Sequence, residues 1–278
     1  MLPTGGQAYD EAYERCMERI ERQIGSRKVL AKKLLFWVTC AQRPLTRSEL
    51  EHALAVKIGQ ASLDKGDIPQ EMVEVCAGLV RFDPESREIR LAHFTTKEYF
   101  ERTQKRWFPE AQYIITMTCI TYMAFDTFQS EESETKQELR MRIRSNPLYS
   151  YAAQYWGRHA RHVSRIQQDV TLSFLRDLAK AEAGAQAMEV TTRRRGFSPP
   201  EARGVTGLHI AAIFGLDDII QFLLQAGCEL WRDGLFLVVR DRLVQVFREM
   251  RQDSKVSTYV ERRIANNQEL QEFRDMLP

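Results

Sequence analysis

The chain has 278 residues, of which 44% are hydrophobic and 28% charged, with a formal net charge of +2. That length fits roughly two domains, the apolar fraction excludes bulk disorder, and the near balance of charge gives no field that would single out nucleic acid or an anionic membrane. The five cysteines, Cys16, Cys40, Cys76, Cys119 and Cys228, lie far apart and mostly inside apolar helical patterns, so they read as buried free thiols of a reducing cytosol rather than as zinc ligands, which come in closely spaced pairs.

Residues 1–26 open on a turn-prone LPTGG, with no basic stretch followed by an apolar one that would mark a leader. Tyr13, Met17, Ile20 and Ile24 then recur at helical spacing among Glu and Arg, and Gly25-Ser26 ends the helix. So amphipathic a helix must pack on the domain that follows or on one upstream. Leu30, Leu34, Trp37, Val38 and Ala41 form the stripe of a second helix over residues 29–41, which Pro44 stops. Thr46-Arg47-Ser48-Glu49 is a capping box, with Thr46 accepting from first-turn amides and Glu49 reaching back; it opens a helix with Leu50, Ala53 and Leu54 inward. After a polar loop over 59–66, Pro69 suits the first turn of a third short helix, with Met72, Val73 and Cys76 inward. Gly78 stands where that helix end wants a residue free to take positive φ.

Leu79 to Phe82 and Glu88 to His93 alternate with period two, as half-buried strands do. Asp83-Pro84-Glu85-Ser86 between them has turn chemistry, with Pro84 fixing φ at the second position. Thr95-Thr96-Lys97-Glu98 reads as another capping box, Thr95 and Glu98 reciprocating. Three helices, a two-stranded wing and a further helix make residues 27–104 a winged-helix domain.

From Trp107 onward the periodicity is helical. Residues 110–128 are apolar nearly all round (Ile114, Ile115, Cys119, Tyr122, Met123), which reads as a buried central helix; the longest apolar run, Tyr113 to Phe125, is interrupted by Thr116, Thr118 and Thr121 and is too short to span a bilayer, which takes about 20 residues. SEESETKQE is an exposed polar linker. Leu148, Tyr151, Ala152, Tyr155, Trp156 and His159 fall on one helical face, and another helix covers 170–187. A helical domain over 105–190 follows from these. A basic, proline-rich linker over 191–203 carries Arg193, Arg194 and Arg195. The C-terminal tail, 234–278, is helical, with Val239, Leu243, Val246 and Met250 as the stripe of its first half.

Residues 204–233 contain GVTGLHIAAIFGLDDIIQFLLQAGCEL, which resembles an ankyrin repeat at Thr206, Leu208, His209, Ala211, Ala212, Gly215, Ile219, Ile220, Leu223, Leu224 and Gly227. It departs at Gly207, where proline is usual, and no second start motif follows near Leu237. The resemblance gives the Ala pair and His209 structural roles. One such unit cannot bury its apolar face alone, so the tail is expected to act as a cap. The order YDEAYERCMERI, AKKLLFWVTCAQRPLTRSELEHALAV, IRLAHFTTKEYF, SNPLYSYAAQYWGRHAR and then the repeat is similar to that of fungal NACHT–ankyrin proteins, signalling proteins of the STAND or NLR-like type. The resemblance implies a regulatory scaffold between an NTPase switch upstream and a partner-sensing array downstream, with residues 1–26 as the link from the NTPase.

No glycine is followed by lysine, so the phosphate-cradling P-loop is not in this sequence. The winged helix also resembles one named after a GPI inositol-deacylase, yet the G-x-S-x-G elbow that such hydrolysis needs does not occur. His159 and His162 lack the spacing and third ligand of a metal site and read as one half-buried and one surface residue, while His93 reads as a wing residue bonded to loop backbone. Nucleic-acid binding is the rival function of a winged helix, but the third helix offers Glu71 and Glu74 and no base, which repels phosphate. The expectation is a mainly α, non-enzymatic cytoplasmic signalling fragment: winged helix, helical domain, single ankyrin repeat and helical tail. It takes no cofactor, metal or small-molecule ligand and has no membrane contact, and its partners are other proteins met through the repeat and the helical faces.

Overall fold

A computed structural model describes residues 5–64, 66, 69, 71–128, 136–163, 169–192 and 205–225. The chain divides into two compact units, Met1–Tyr122 and Met123–Pro278. It is mainly α-helical, with a small three-stranded antiparallel sheet in the first unit, the fold class expected. Among the described residues no helix is long and apolar enough to cross a membrane.

The first unit runs α1 (Gly5–Glu21), α2 (Ser26–Cys40), β1 (Leu45–Thr46), α3 (Arg47–Ala55), a 3-10 turn (Glu74–Cys76), β2 (Val80–Asp83), β3 (Glu88–Leu91), α4 (Phe94–Trp107) and α5 (Ala111–Met123). Helix α2 is its axis. Ala31, Leu34, Leu35, Phe36, Trp37 and Cys40 are all buried on it, because α1, α3, α4, β3 and the 3-10 turn pack around it. Each large apolar side chain so buried stabilises the unit by roughly 1.5–3 kcal/mol relative to exposure. Phe100 and Phe36 close on Phe108 at 5.5 and 6.5 Å between ring centroids. In α5 the expected all-round burial holds for Ile115, Cys119 and Tyr122, although the helix ends at Met123 and a separate 3-10 turn, Asp126–Phe128, takes the place of its last turn. Its buried threonines are satisfied within the helix, Thr116 and Thr118 donating to the Gln112 and Ile114 carbonyls at 2.8 and 2.7 Å.

Further features of this unit differ from the sequence reading; of the stripe expected for α2, Leu30, Val38 and Ala41 are only half-buried. Ile24 is 89% exposed, since α1 stops at Glu21 and Gly25, at φ 58°, turns the chain off the stripe that keeps Met17 and Ile20 buried. The third helix is reduced to the 3-10 turn: β-branched Val73 and Val75 weaken helix propensity, and Ala77 and Gly78 both take left-handed φ, 53° and 82°, ending the turn at once. Met72 and Cys76 are buried as expected, with Val75 rather than Val73 beside them. The sheet has a third strand, because Leu45 and Thr46 pair with Ile89 and Glu88; two residues directly before a helix are too few to show alternation. Helix α4 begins at Phe94 with His93 as its N-cap, so Thr95 and Glu98 form no capping box.

The second unit holds α6 (Lys136–Ser145), α7 (Pro147–Ala160), α8 (Asp169–Arg176), α9 (Leu178–Thr192), α10 (Gly207–Phe214) and α11 (Asp217–Gln225). The α7 stripe is as read, with Tyr155 half-buried and Leu148, Tyr151, Ala152, Trp156 and His159 buried. Trp156 meets Phe174 of α8 and Phe214 of α10 edge-on at 5.8 and 5.2 Å. Phe128 stacks on Tyr149 at 4.0 Å. Helix α6 starts inside the stretch read as a linker, anchored by buried Leu139. The single helix read over 170–187 is two, because Asp177 accepts from the Lys180 amide at 3.3 Å and caps a new helix start. The basic run Arg193 to Arg195, Gly227, Cys228 and the tail 234–278 lie outside the described residues, as does the side chain of Leu224.

Candidate interaction surfaces

The Thr46–Glu49 capping box is formed as read. The Thr46 hydroxyl accepts from the Glu49 amide at 3.3 Å, and the Glu49 carboxylate accepts from the Thr46 amide at 2.8 Å. Arg43, which the sequence reading passed over, completes it by donating two parallel bonds to Glu49 at 2.6 and 3.0 Å. Glu49 is buried, so its removal strands both donors. Glu49→Ala is expected to lower the stability of α3 by about 2 kcal/mol and Thr46→Ala by about 1 kcal/mol, read by amide hydrogen exchange over residues 47–55. Equal losses below about half a kcal/mol would show that the clamp behaves as an exposed ion pair.

In the wing, Phe82 pairs with Ile89 and Val80 with Leu91. Arg81 faces Arg90 and Asp83 faces Glu88 across the strands; such like-charge pairs are unfavourable, and a bond from Arg90 Nε to Glu88 at 2.7 Å offsets them. Pro84 opens the wing turn, and Arg87 closes it at φ 57°. The Arg87 carbonyl accepts from the Arg47 amide at 2.8 Å, while the Arg47 guanidinium lies 5.9 Å over the Phe82 ring. The wing tip is thereby tied to the start of α3. Glu71 and Glu74 are exposed beside the 3-10 turn that occupies the place of a reading helix.

At the head of α4, His93 Nδ1 accepts from the Thr95 amide at 3.3 Å, and its ring lies tilted against Phe94 with 4.4 Å between centroids. Freed from capping, the Thr95 hydroxyl bonds the Tyr13 hydroxyl of α1. That contact begins a polar seam along α1 and α4. Arg102 grips Asp10 through two bonds of 2.8 and 2.9 Å, Arg106 pairs with Glu14, and the Tyr99 hydroxyl donates to Glu14 at 3.0 Å. The Arg102 hydrogen bonds hold the Asp10 carboxyl below its ordinary value, and burial pushes the Tyr99 hydroxyl up to about 12. Glu98 is exposed, and its carbonyl accepts from Arg102. The amphipathic N-terminal helix therefore packs on α4 and α2.

In the second unit, α10 and α11 form a helix pair around Gly215 at φ 62°. Thr206 caps α10, its amide and hydroxyl bonding His209 Nδ1 at 3.2 and 2.7 Å. Leu208, His209, Ala211, Ala212, Ile219, Ile220 and Leu223 are buried, so the structure gathers these sequence-predicted residues in one core. Arg161 donates to the Phe214 carbonyl at the end of α10, a link without a local sequence signal. His159 is fully buried rather than half-buried, with Nε2 2.8 Å from the Tyr151 hydroxyl, and His162 is exposed. Burial also pushes the Cys40 and Cys76 thiols up to about 11 and 12, which leaves them protonated and unreactive. Among the described residues no group of three His, Cys, Asp or Glu side chains is placed to hold a metal ion.

Residues 17–106 match the family model described as the winged helix domain of GPI inositol-deacylase. The first unit thus contains a winged-helix domain of that type, which covers α2 to α4 and the last turns of α1. No curated protein and no solved structure matches the chain.

Proposed function

We propose that this chain is a non-enzymatic regulatory scaffold of an NLR-like signalling protein, working in the cytosol. In this reading the winged-helix and helical domains carry contacts between a NACHT-type NTPase and an ankyrin sensor array that starts at α10. The winged-helix domain, a kind found in NTPase-associated regions, supports it, as does the resemblance of residues 204–227 to an ankyrin unit. The observation that carries it is the acidic 3-10 turn in place of a reading helix. Glu71 and Glu74 stand exposed where a nucleic-acid reader needs Arg, Lys or Asn, and phosphate neutralisation supplies most of the affinity for DNA. A protein surface bearing cations is the better match for that turn.

The reading is tested by mixing the chain with a NACHT domain of the resembled family and measuring affinity by calorimetry. Glu71→Lys with Glu74→Lys is expected to weaken binding about tenfold or more, the effect of losing two charge contacts of roughly 1 kcal/mol each. Unchanged affinity would sink it. Retardation of duplex DNA at physiological salt, falling steeply as salt rises, would instead make the chain a nucleic-acid binder.

A further inference from the structure

The α10–α11 pair is sealed where Gly207 lies against the Leu175 carbonyl of α8 and where the Phe214 ring lies against Gly157 and Trp156 of α7. Where the end of α7 meets the turn between α10 and α11, a cleft of about 630 Å³ opens. Val163, Ala212, Ile213 and Leu216 line it together with Arg161, Asp217 and Asp218. Ile213 is 44% exposed there, in a helix whose neighbouring residues are almost all buried.

We propose that this cleft is the docking surface for residues 235–250 of the same chain. Their pattern fits it. Val239, Leu243, Val246 and Met250 share one face at helical spacing, and Arg240 and Arg242 flank that stripe, opposite in sign to Asp217 and Asp218. The tether fits as well. Residues 226–234 separate the segment from the end of α11, and nine residues can span at most about 30 Å, so the segment begins within that distance of α11. The inference does not rest on the NTPase contact proposed above, and its test does not involve that partner.

Hydrogen exchange on the full chain decides it. Leu243→Asp with Val246→Asp is expected to speed exchange of peptides covering 207–225 at least tenfold, with peptides covering 26–40 unchanged. No change over 207–225 overturns the proposal. A second measurement uses Ile213→Cys with Val246→Cys in the full chain under mild oxidation. An intramolecular disulfide joining the two positions, identified by peptide mass, is the expected result. A disulfide between two chains would place a second copy in the cleft and overturn the proposal, as would no cross-link at all.

Discussion

The second unit is expected to lose most of its stability as pH falls from about 6.5 to about 4. His159 and His209 are both buried, and burial lowers each imidazole to about 4; for His159 the nearby charge of His162 adds to the shift. The native state holds both rings neutral. His209 Nδ1 accepts from the Thr206 amide, so a proton arriving there would face a donor. The unfolded chain protonates both near 6.5, and therefore binds more protons than the native state between the two values. Stability then rises with pH across that window, is fully present above it, and is gone below the folded value. Each residue contributes on the order of 3 kcal/mol, and the two together rival the whole margin of a typical domain.

Urea titrations at pH 7, 5.5 and 4.5, followed by exchange in each unit separately, measure this. His159→Gln should remove about half of the slope in the second unit. In the first unit burial lowers His52, whose Nδ1 lies 2.7 Å from the Tyr122 hydroxyl, and this half-buried ring is expected to give that unit the smaller slope. Its Asp10 and Glu21 carboxyls, lowered by bonds from Arg102 and from Lys28 and Lys32, lose their contribution only as pH falls through the carboxylate range. An unchanged slope after both His159→Gln and His209→Gln would refute the assignment.

Where periodicity and local chemistry decide the outcome, sequence and structure agree. The α7 stripe is long and strict, and the Thr46 cap needs only residues three apart. Gly215 sits where the helix pair must turn. Disagreement comes where a competing local choice or a distant partner wins. Thr95 could cap by its own chemistry, but His93 offers an acceptor two residues earlier, and Tyr13, from a helix far away in sequence, takes the hydroxyl. The helix over 170–187 is broken by Asp177, a residue whose capping ability a hydrophobic pattern does not register. The cleft and the α1–α4 seam were not legible at all, since Arg161, Asp10 and Arg102 belong to no spacing until the chain is folded.

Gly207→Pro should destabilise the second unit by about 3 kcal/mol, although every local rule favours proline there. Position 207 is the first residue of α10, where proline's fixed φ is pre-organised for the helix and its missing amide is no loss. Thr206, at φ −91° and ψ 164°, already has the backbone that precedes a proline. Proline is also the residue usual at this place in the repeat that the sequence resembles. The opposition is tertiary. A Cβ at Gly207 falls 1.9 Å from the Leu175 carbonyl oxygen, and a backbone atom at the end of α8 cannot step aside as a side chain can. Two alanine substitutions bracket the effect. At Gly157 a Cβ meets the Phe214 ring at 2.1 Å, where ring movement absorbs part of the overlap and the expected loss is about 2 kcal/mol. At Gly184 the nearest atom is Phe174 Cζ at 3.6 Å, an ordinary contact, so Gly184→Ala should stabilise α9 by up to about 1 kcal/mol through helix propensity. Urea unfolding of the three variants should rank them Gly184→Ala, Gly157→Ala, Gly207→Pro from most to least stable. A Gly207→Pro protein as stable as the parent would mean that α10 does not press on α8, and that the helix pair is not sealed there.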